Sequence, residues 1–422
     1  MASDLSQTLQ SSQAPSPWRW FSLDYLAVIV PTLVSIRLWS FQAAPEHALW
    51  SQIERLLIVG LLFVSIWRYR FIRIPQMGFS YKWHMFWLFA LSFASFIPLY
   101  LFDNQNPLRS FNTNMHMVYW LVYFVAYSTR FTKEDLLKFM VFVGVVWAVL
   151  TIGQQFTFPR VYFFSRADFE NEVPFELRSG VYRFMVQGAY FGLPVSYYAL
   201  NQYFNTRKLR FLGLLALMLI GVYCTATRQM MAVNLASLAC LYLAYLWMQG
   251  RRIQLKILAF IAVPIAILLF FGESIFGQLL EKTSEEATTD NIRLKSLKFF
   301  LFDYWPHWSN FFLGNGVPHY YSEKGAFIRM MAEEHGYYAS DVGLVGILHY
   351  KGILFVLVSL ATVIRGIFAK VTTDTLFLNI SFLGILMIIP LNPVFSAFDF
   401  FPFFCILCIL QERSIHERQI KA

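Results

Sequence analysis

The chain consists of long apolar runs separated by mostly short polar connections. A helix needs roughly 20 apolar residues to cross about 30 Å of hydrocarbon. Twelve runs approach that length, and they cover 22–40, 50–67, 83–102, 115–130, 136–156, 184–204, 209–225, 229–248, 253–272, 341–364, 376–391 and 394–411. None has the every-second-residue alternation of a membrane β-barrel strand. The pattern therefore predicts an all-α polytopic membrane protein with about 12 transmembrane helices.

One long polar stretch interrupts this pattern, at 273–340 between the ninth and tenth runs. Apolar and basic residues are interleaved there over 291–302, which predicts an amphipathic helix lying on the membrane surface. We expect five parts: a disordered tail over 1–21, helices 1–9 over 22–272, a largely helical loop over 273–340, helices 10–12 over 341–411, and a second tail over 412–422.

The composition argues against a soluble protein, with 57% hydrophobic and 14% charged residues and a mean hydropathy of +0.51. Short cytoplasmic loops of membrane proteins are enriched in Lys and Arg. If the N-terminus is cytoplasmic, every predicted inner segment contains Lys or Arg. We therefore expect both termini in the cytoplasm and the 273–340 loop outside. The pI of about 9.3 then reflects topology rather than nucleic-acid binding.

Several arginines lie on the predicted outer side, against this bias. Arg178 and Arg183 precede the sixth span, Arg228 lies in a very short turn between two spans, and Arg293 begins the amphipathic helix. An anion held at the outer face would explain them, because the planar guanidinium fork binds phosphate oxygens. The alternatives are snorkelling to the headgroups and ion pairs in water with the acidic residues of 168–176.

His335 is the candidate for acid–base chemistry, because it lies just before the tenth span at the predicted water boundary. Glu333 and Glu334 precede it and are placed to orient its ring or to favour its protonated form. A purely structural histidine is the alternative. The chain has no metal-binding pattern such as D-x-D or H-E-x-x-H, so we expect no metal and no other cofactor. The four cysteines fall in or beside apolar runs, where packing explains them.

Three ordered patterns resemble motifs of the O-antigen ligase and O-antigen polymerase superfamily. They are Thr227-Arg228-Gln229 at the start of a span, Arg293 followed by Phe312-Leu-Gly-Asn-Gly316, and His335 followed by Gly343-Leu-Val-Gly346; upstream, Arg178-Ser-Gly180 is similar to a further motif. The resemblance covers about 178–360. The ligases usually have Asn, Ser or Gln where this chain has Gly336, and a small or aromatic residue where it has His349. These departures favour the polymerases.

The resemblance implies a metal-independent, inverting glycosyltransferase of the bacterial inner membrane. Such an enzyme moves a glycan from undecaprenyl pyrophosphate to a sugar hydroxyl on the periplasmic side. The acceptor is a glycan for a polymerase and lipid A-core for a ligase. His335 would be the general base, while Arg228 and Arg293, assisted by Arg178 and Arg183, would bind the pyrophosphate. The implied partners are the lipid-linked donor, the acceptor, membrane lipid and other polysaccharide assembly proteins.

Two other classes compete with this hypothesis. A lipid-linked glycan flippase or transporter also has many spans, but it places ionisable residues near the midplane on broken, repeated helices. Here the candidates cluster at one surface and we find no internal repeat, although Arg37 and Lys351 lie within apolar runs. The second competitor is a scaffold subunit of an envelope assembly complex. Turnover of a lipid-linked glycan by the purified protein separates an enzyme from both.

Overall fold

A computed structural model describes most of the chain. The described residues are 23–36, four positions between 53 and 60, 79–128, 131–158, 177–178, 181–182, 188–249, 292–390, 392–397 and 399–421. Four predictions lie wholly or largely outside them. These are the tail over 1–21, the second span over 50–67, the ninth span over 253–272 and the first part of the outer loop.

Within the described ranges the chain is predominantly helical. The helices are α1 (Leu23–Ser35), α2 (Lys82–Ala94), α3 (Phe96–Asp103), α4 (Pro107–Asn114), α5 (Leu121–Ser128), α6 (Lys133–Thr157), α7 (Ala189–Thr206), α8 (Arg210–Cys224), α9 (Arg228–Met248), α10 (Ile292–Lys298), α11 (Trp308–Leu313), α12 (Glu323–His335), α13 (Gly343–Ile367), α14 (Leu376–Ile388) and α15 (Phe400–Lys421). Two short strands, β1 (Leu177–Arg178) and β2 (Val181–Tyr182), form an antiparallel pair. Short 3₁₀ turns cover Met115–Trp120, Ala339–Asp341, Thr373–Thr375 and Val394–Ser396, and a π turn covers Phe299–Asp303.

The prediction of a helical membrane protein is confirmed in its coarse form. In the part of the chain that the structure describes, four helices are long and apolar enough to cross a bilayer: Lys82–Asp103, Lys133–Thr157, Gln229–Met248 and Gly343–Ile367. Two shorter apolar helices, Arg210–Cys224 and Thr373–Ile388, lie in further predicted spans. The total of twelve spans stays a prediction.

Helix α15 lies at the centre of the described core. Its residues 400–410 are all buried, although a surface helix would expose one face. Phe404 packs edge-on against Trp120, Phe382 and Phe395, with ring centroids 5.5–6.0 Å apart. Aromatic side chains of three other segments therefore pack against α15. This explains why α15 is apolar on all of its faces.

The end of the molecule that we predict to be cytoplasmic is fixed by polar contacts. Thr132 and Asp135 form a capping box at the start of α6, in which each side chain accepts from the other residue's backbone N–H. The hydroxyl of Tyr25, on α1, donates to the same Asp135 carboxylate at 2.8 Å. Lys133 pairs with Glu417 of α15 at 3.0 Å. Helices α1, α6 and α15 are thus joined where the spans begin or end.

Helix α13 is broken at Gly352, whose φ of 78° and ψ of 169° are not helical. In an unbroken helix the carbonyls of His349 and Tyr350 accept from the N–H groups four residues later. Here they accept from the loop that we predict to face outside (the outer loop), at 2.7 Å from Asn315 N and 3.0 Å from Gly316 N. Irregular backbone at membrane depth needs such partners, because hydrocarbon supplies none. The segment Phe312–Gly316 therefore docks into the break in α13.

Candidate functional site

The C-terminal end of α12 brings His335 next to the start of α10. Ser322 caps the first turn of α12, accepting from Gly325 N at 3.1 Å, and the helix ends at Gly336 with a φ of 69°. This left-handed conformation favours glycine. A Cβ at Gly336 would overlap the Cδ1 of Ile292, so the two segments approach closely. Ile292 immediately precedes Arg293, and the structure therefore places His335 and Arg293 on neighbouring elements.

The His335 side chain is exposed and lies beside aromatic rings. Its ring centroid is 5.5 Å from that of Tyr337, which is in turn 5.3 Å from that of Phe299, just after α10. Arg293 is also exposed. Among the described contacts, no hydrogen bond or ion pair joins His335 to Glu333 or Glu334, so the orienting role of these glutamates stays a prediction.

A second cluster lies at the end of α6, where Gln155 connects two backbone segments. Its amide donates to the carbonyl of Tyr182 at 2.7 Å and accepts from the N–H of the same residue at 2.9 Å. It also donates to the carbonyl of Cys224 at 3.4 Å. Tyr182 belongs to the hairpin that contains Arg178, and Cys224 ends the helix before the turn to Arg228. One side chain therefore holds together the segments that carry two predicted arginines.

The described residues place the backbone of these arginines but not all of their side chains. Arg178 lies in β1 and Arg228 is the first residue of α9, and the side chains of both lie outside the described set. Arg183 lies outside it altogether. The neighbouring Gln229 donates to the carbonyl of Ile388 at 3.2 Å, so the start of α9 lies against the end of α14.

The four placed candidates thus form two pairs, Arg178 with Arg228 and Arg293 with His335. Both pairs lie on the side that we predict to be periplasmic, beyond the end of α6 and before the start of α13. Convergence of all the arginines and His335 on one pocket stays a prediction.

Several buried polar side chains contact one another below this surface. The sequence did not predict that they would meet. Asn315 accepts from the amide of Asn310 at 2.8 Å, and its own amide lies 3.3 Å from His349 Nδ1. Lys324, buried on α12, pairs with Asp103 at 2.7 Å and donates to the carbonyl of Asn315 at 3.2 Å. Burial lowers the pKa of Lys324, and the hydrogen bond and charge of Asp103 oppose that effect. These contacts fix the loop onto α13 through His349 and onto the end of α3 through Asp103.

The sequence contained partial signals for the contacts of Gln155 and for the docking of the loop onto α13. Gln155 is a polar residue at the end of an otherwise apolar run, but nothing in the sequence identifies its hydrogen-bond partners. The glycines of 312–316 indicated a turn, and the glycine at 352 indicated a weak point in a span. That the turn would fill the break depends on tertiary contacts that no local pattern encodes.

In the described part of the chain, no three His, Cys, Asp or Glu side chains are grouped as metal ligands. Comparison with known proteins gives no assignment, since neither a family model nor a curated protein matches the chain. We therefore infer the function from the residues and from the motif resemblance.

Proposed function

We propose that this protein is an inner-membrane glycosyltransferase that moves a glycan from undecaprenyl pyrophosphate to a sugar hydroxyl on the periplasmic side. In this proposal it acts as an O-antigen or exopolysaccharide polymerase and inverts the anomeric centre. The observation that carries the proposal is the close approach of Gly336 to Ile292, which brings together the segments that carry His335 and Arg293 at a predicted membrane surface.

The reaction requires a base, a positive site for the leaving group and access for lipid. His335 accepts the proton of the acceptor hydroxyl as its oxygen bonds to C1 of the donor sugar. The bond from C1 to the phosphate oxygen breaks, and the electron pair leaves with the pyrophosphate. Fixed guanidinium groups stabilise the charge that develops on that leaving group. Arg228 and Arg293 have this role, assisted by Arg178 and Arg183, so the proposed mechanism uses no metal ion or other cofactor.

The surroundings of the pair suit substrates that come from the bilayer. Ile292 and Leu294 of α10 are exposed apolar residues beside Arg293, as expected of a helix that lies on a membrane surface. The proposed donor is lipid-linked and would approach along that surface. Tyr338, exposed just after α12, is available to stack on a sugar ring. The proposed orientation, with both termini cytoplasmic, follows from the distribution of Lys and Arg.

His335→Ala tests the proposal directly. We expect glycan transfer by the purified protein to fall by about 10²–10⁴-fold, because the general base is lost. His319→Ala is the matched control, since it removes another outer-loop histidine and should leave most of the activity. Transfer is measured with a synthetic polyprenyl-pyrophosphate glycan, and the thermal midpoint of each variant reports on folding. Full transfer by a folded His335→Ala protein would refute the proposed base.

The polymerase and ligase hypotheses predict different outcomes for a deletion strain. Loss of a polymerase leaves one repeat unit on lipid A-core, whereas loss of a ligase leaves a bare core and long carrier-linked chains.

A flippase or transporter is favoured by one observation, the broken α13 with a buried lysine beside the break. A purified transporter would not turn over the lipid-linked glycan, and this outcome separates it from both enzymes.

A further inference from the structure

A groove lies between α6, α7 and α8, toward the end of the molecule that we predict to be cytoplasmic. Its volume of about 430 Å³ is within the range of about 300–1,000 Å³ that is typical of small-molecule sites. Side chains of all three helices line it. None of them belongs to the proposed transferase site, which lies beyond the other end of α6.

The groove lies where α6 and α8 separate. Further along the two helices touch through small residues, because a Cβ at Gly221 would lie only 3.0 Å from the Cβ of Ala148. Seven residues earlier on each helix, which is about two turns, Val141 and Leu214 line the groove instead. The space between the helices is therefore closed on one side and open toward their starts.

The walls of the groove are apolar. Leu137 and Val141 lie four residues apart and so on one face of α6. Across from them, Tyr198 of α7 packs edge-on against Phe211 of α8, with ring centroids 6.1 Å apart. Phe142 also lines the groove and is 56% exposed. Such walls suit a hydrocarbon chain, since covering them removes apolar surface from water.

Two basic side chains flank these walls. Lys138 lines the groove four residues before Phe142, on the same face of α6. Arg210 begins α8, and its guanidinium lies 4.9 Å from the centroid of the Phe211 ring. Both residues are exposed. Basic groups beside an apolar groove favour an anionic group that is attached to an apolar chain.

One acidic residue, Glu134, also lines the groove, one turn before Lys138. The next carboxylate of α6, that of Asp135, accepts from the hydroxyl of Tyr25 at 2.8 Å and so faces α1 instead. An ionised carboxylate only accepts hydrogen bonds, so Glu134 suits hydroxyl groups rather than a second anion. The rim therefore fits a headgroup that has both a phosphate and hydroxyls.

We propose that this groove binds one anionic phospholipid with a hydroxylated headgroup, of the phosphatidylglycerol type. Its phosphate lies between Lys138 and Arg210, and its headgroup hydroxyls donate to Glu134. One acyl chain lies between Val141 and Leu214 and fills the gap between α6 and α8. Basic inner loops attract anionic lipids in general, whereas the groove holds one lipid molecule at a defined position. The site does not depend on the proposed transferase activity.

The test measures lipid binding to the full-length protein in detergent, after bound lipid has been removed. Native mass spectrometry counts the retained lipid molecules. The thermal midpoint reports stabilisation, since a ligand of the folded state raises it with concentration. We expect one phosphatidylglycerol molecule to bind at least about tenfold more tightly than phosphatidylcholine with the same acyl chains, because two basic groups contribute. Equal binding of the two lipids overturns the proposal, because it indicates unspecific coverage of apolar surface.

A third lipid tests the headgroup. Phosphatidic acid with the same acyl chains has the phosphate without the glycerol hydroxyls. We expect it to bind more weakly than phosphatidylglycerol, because Glu134 then faces a phosphate without a donor between them. Phosphatidic acid that binds as tightly as phosphatidylglycerol would overturn the assigned headgroup.

Charge variants decide whether the two basic residues are responsible. Lys138→Gln and Arg210→Gln should each weaken phosphatidylglycerol binding by about fivefold and leave phosphatidylcholine binding unchanged. Lys82→Gln is the matched control, since Lys82 begins α2 at the same predicted end, with its Nζ 5.8 Å from the centroid of the Trp83 ring. Unchanged phosphatidylglycerol binding by both groove variants would contradict the proposal.

A wall variant tests the acyl chain independently of charge. Leu214→Trp fills the groove and keeps both basic residues, so we expect it to lower phosphatidylglycerol binding to the level of phosphatidylcholine. Leu235→Trp is its control, because Leu235 is 53% exposed on α9 and does not line the groove. Full phosphatidylglycerol binding by a folded Leu214→Trp protein would show that the lipid lies elsewhere. If that variant does not fold, the charge variants at exposed positions still decide.

Discussion

At the scale of single residues, Gln155 has the clearest consequence for the candidate site. A side-chain amide offers donors and an acceptor together, and Gln155 uses both toward the backbone of Tyr182 while also reaching Cys224. The two-residue strands of the hairpin are too short to be stable alone. Gln155 therefore links the Arg178 segment to the helix that leads into the Arg228 turn.

Gln155→Leu should separate the two segments. The substitution removes all three hydrogen bonds at similar size, and misplacement of a binding group by about 1 Å can cost on the order of 10²-fold in rate. We expect glycan transfer to fall by up to about 10²-fold, with the midpoint lowered only modestly. Spin labels at Val181 and Thr227 give a readout that does not depend on activity. Their distance distribution should broaden in Gln155→Leu, and an unchanged distribution would rule out the positioning role.

At the scale of elements, the break in α13 is a joint between a span and the outer loop. A Cβ at Gly352 would overlap the carbonyl oxygen of Phe312, and the residue has a backbone conformation that is essentially restricted to glycine. Docking also buries Asn310 and Asn315 completely. The loop segment is therefore fixed in place by steric fit and by hydrogen bonds to the opened helix.

Gly352→Ala should destabilise the protein by about 3 kcal/mol or more, because backbone strain adds to a steric overlap. Gly153→Ala is the matched control. Gly153 lies inside α6, and a Cβ added there would meet no atom within 4 Å. Since alanine has the higher helix propensity, this variant should be neutral or slightly stabilising. Midpoints in detergent check both expectations. A stable Gly352→Ala protein would mean that the break is dispensable.

The sequence predicted the helices better than the connections between them. Apolar runs of sufficient length identified α6, α9 and α13 within a few residues, since solvation by lipid depends only on composition and length. The amphipathic pattern over 291–302 corresponds to α10 followed by the π turn at Phe299–Asp303. The β1–β2 hairpin was missed, because strands of two residues are too short to leave a pattern in the sequence. His335 and Arg293 were predicted individually, and the approach of their segments depends on the contact of Ile292 with Gly336, which no local pattern encodes.

At the scale of the whole molecule, the C-terminal end of α15 and the outer loop lie at opposite ends. Helix α15 is buried along 400–410 and becomes exposed only near its C-terminal end, beyond the pair formed by Lys133 and Glu417. The outer loop caps the other end through α11 and α12. The proposed function requires that the end capped by the outer loop faces the periplasm.

Cysteine labelling tests this orientation. Tyr321 is 81% exposed in the outer loop, and Leu209 is 75% exposed between α7 and α8 at the other end. We expect a membrane-impermeant maleimide to label Tyr321→Cys on intact spheroplasts and Leu209→Cys only after permeabilisation. The unmodified chain is the control, because Cys224, Cys405 and Cys408 are buried and Cys240 is partly buried. The reverse labelling pattern would invert the proposed topology.

The docked segment Phe312–Gly316 also constrains how the protein is made. Ribosomes produce the outer loop before Gly352, so on the proposed topology the loop is exported before its acceptor carbonyls exist. We expect α13 to enter the bilayer as a continuous helix and to open only when the exported loop inserts its N–H groups. Assembly would then include a rearrangement inside the membrane, after α13 has been inserted.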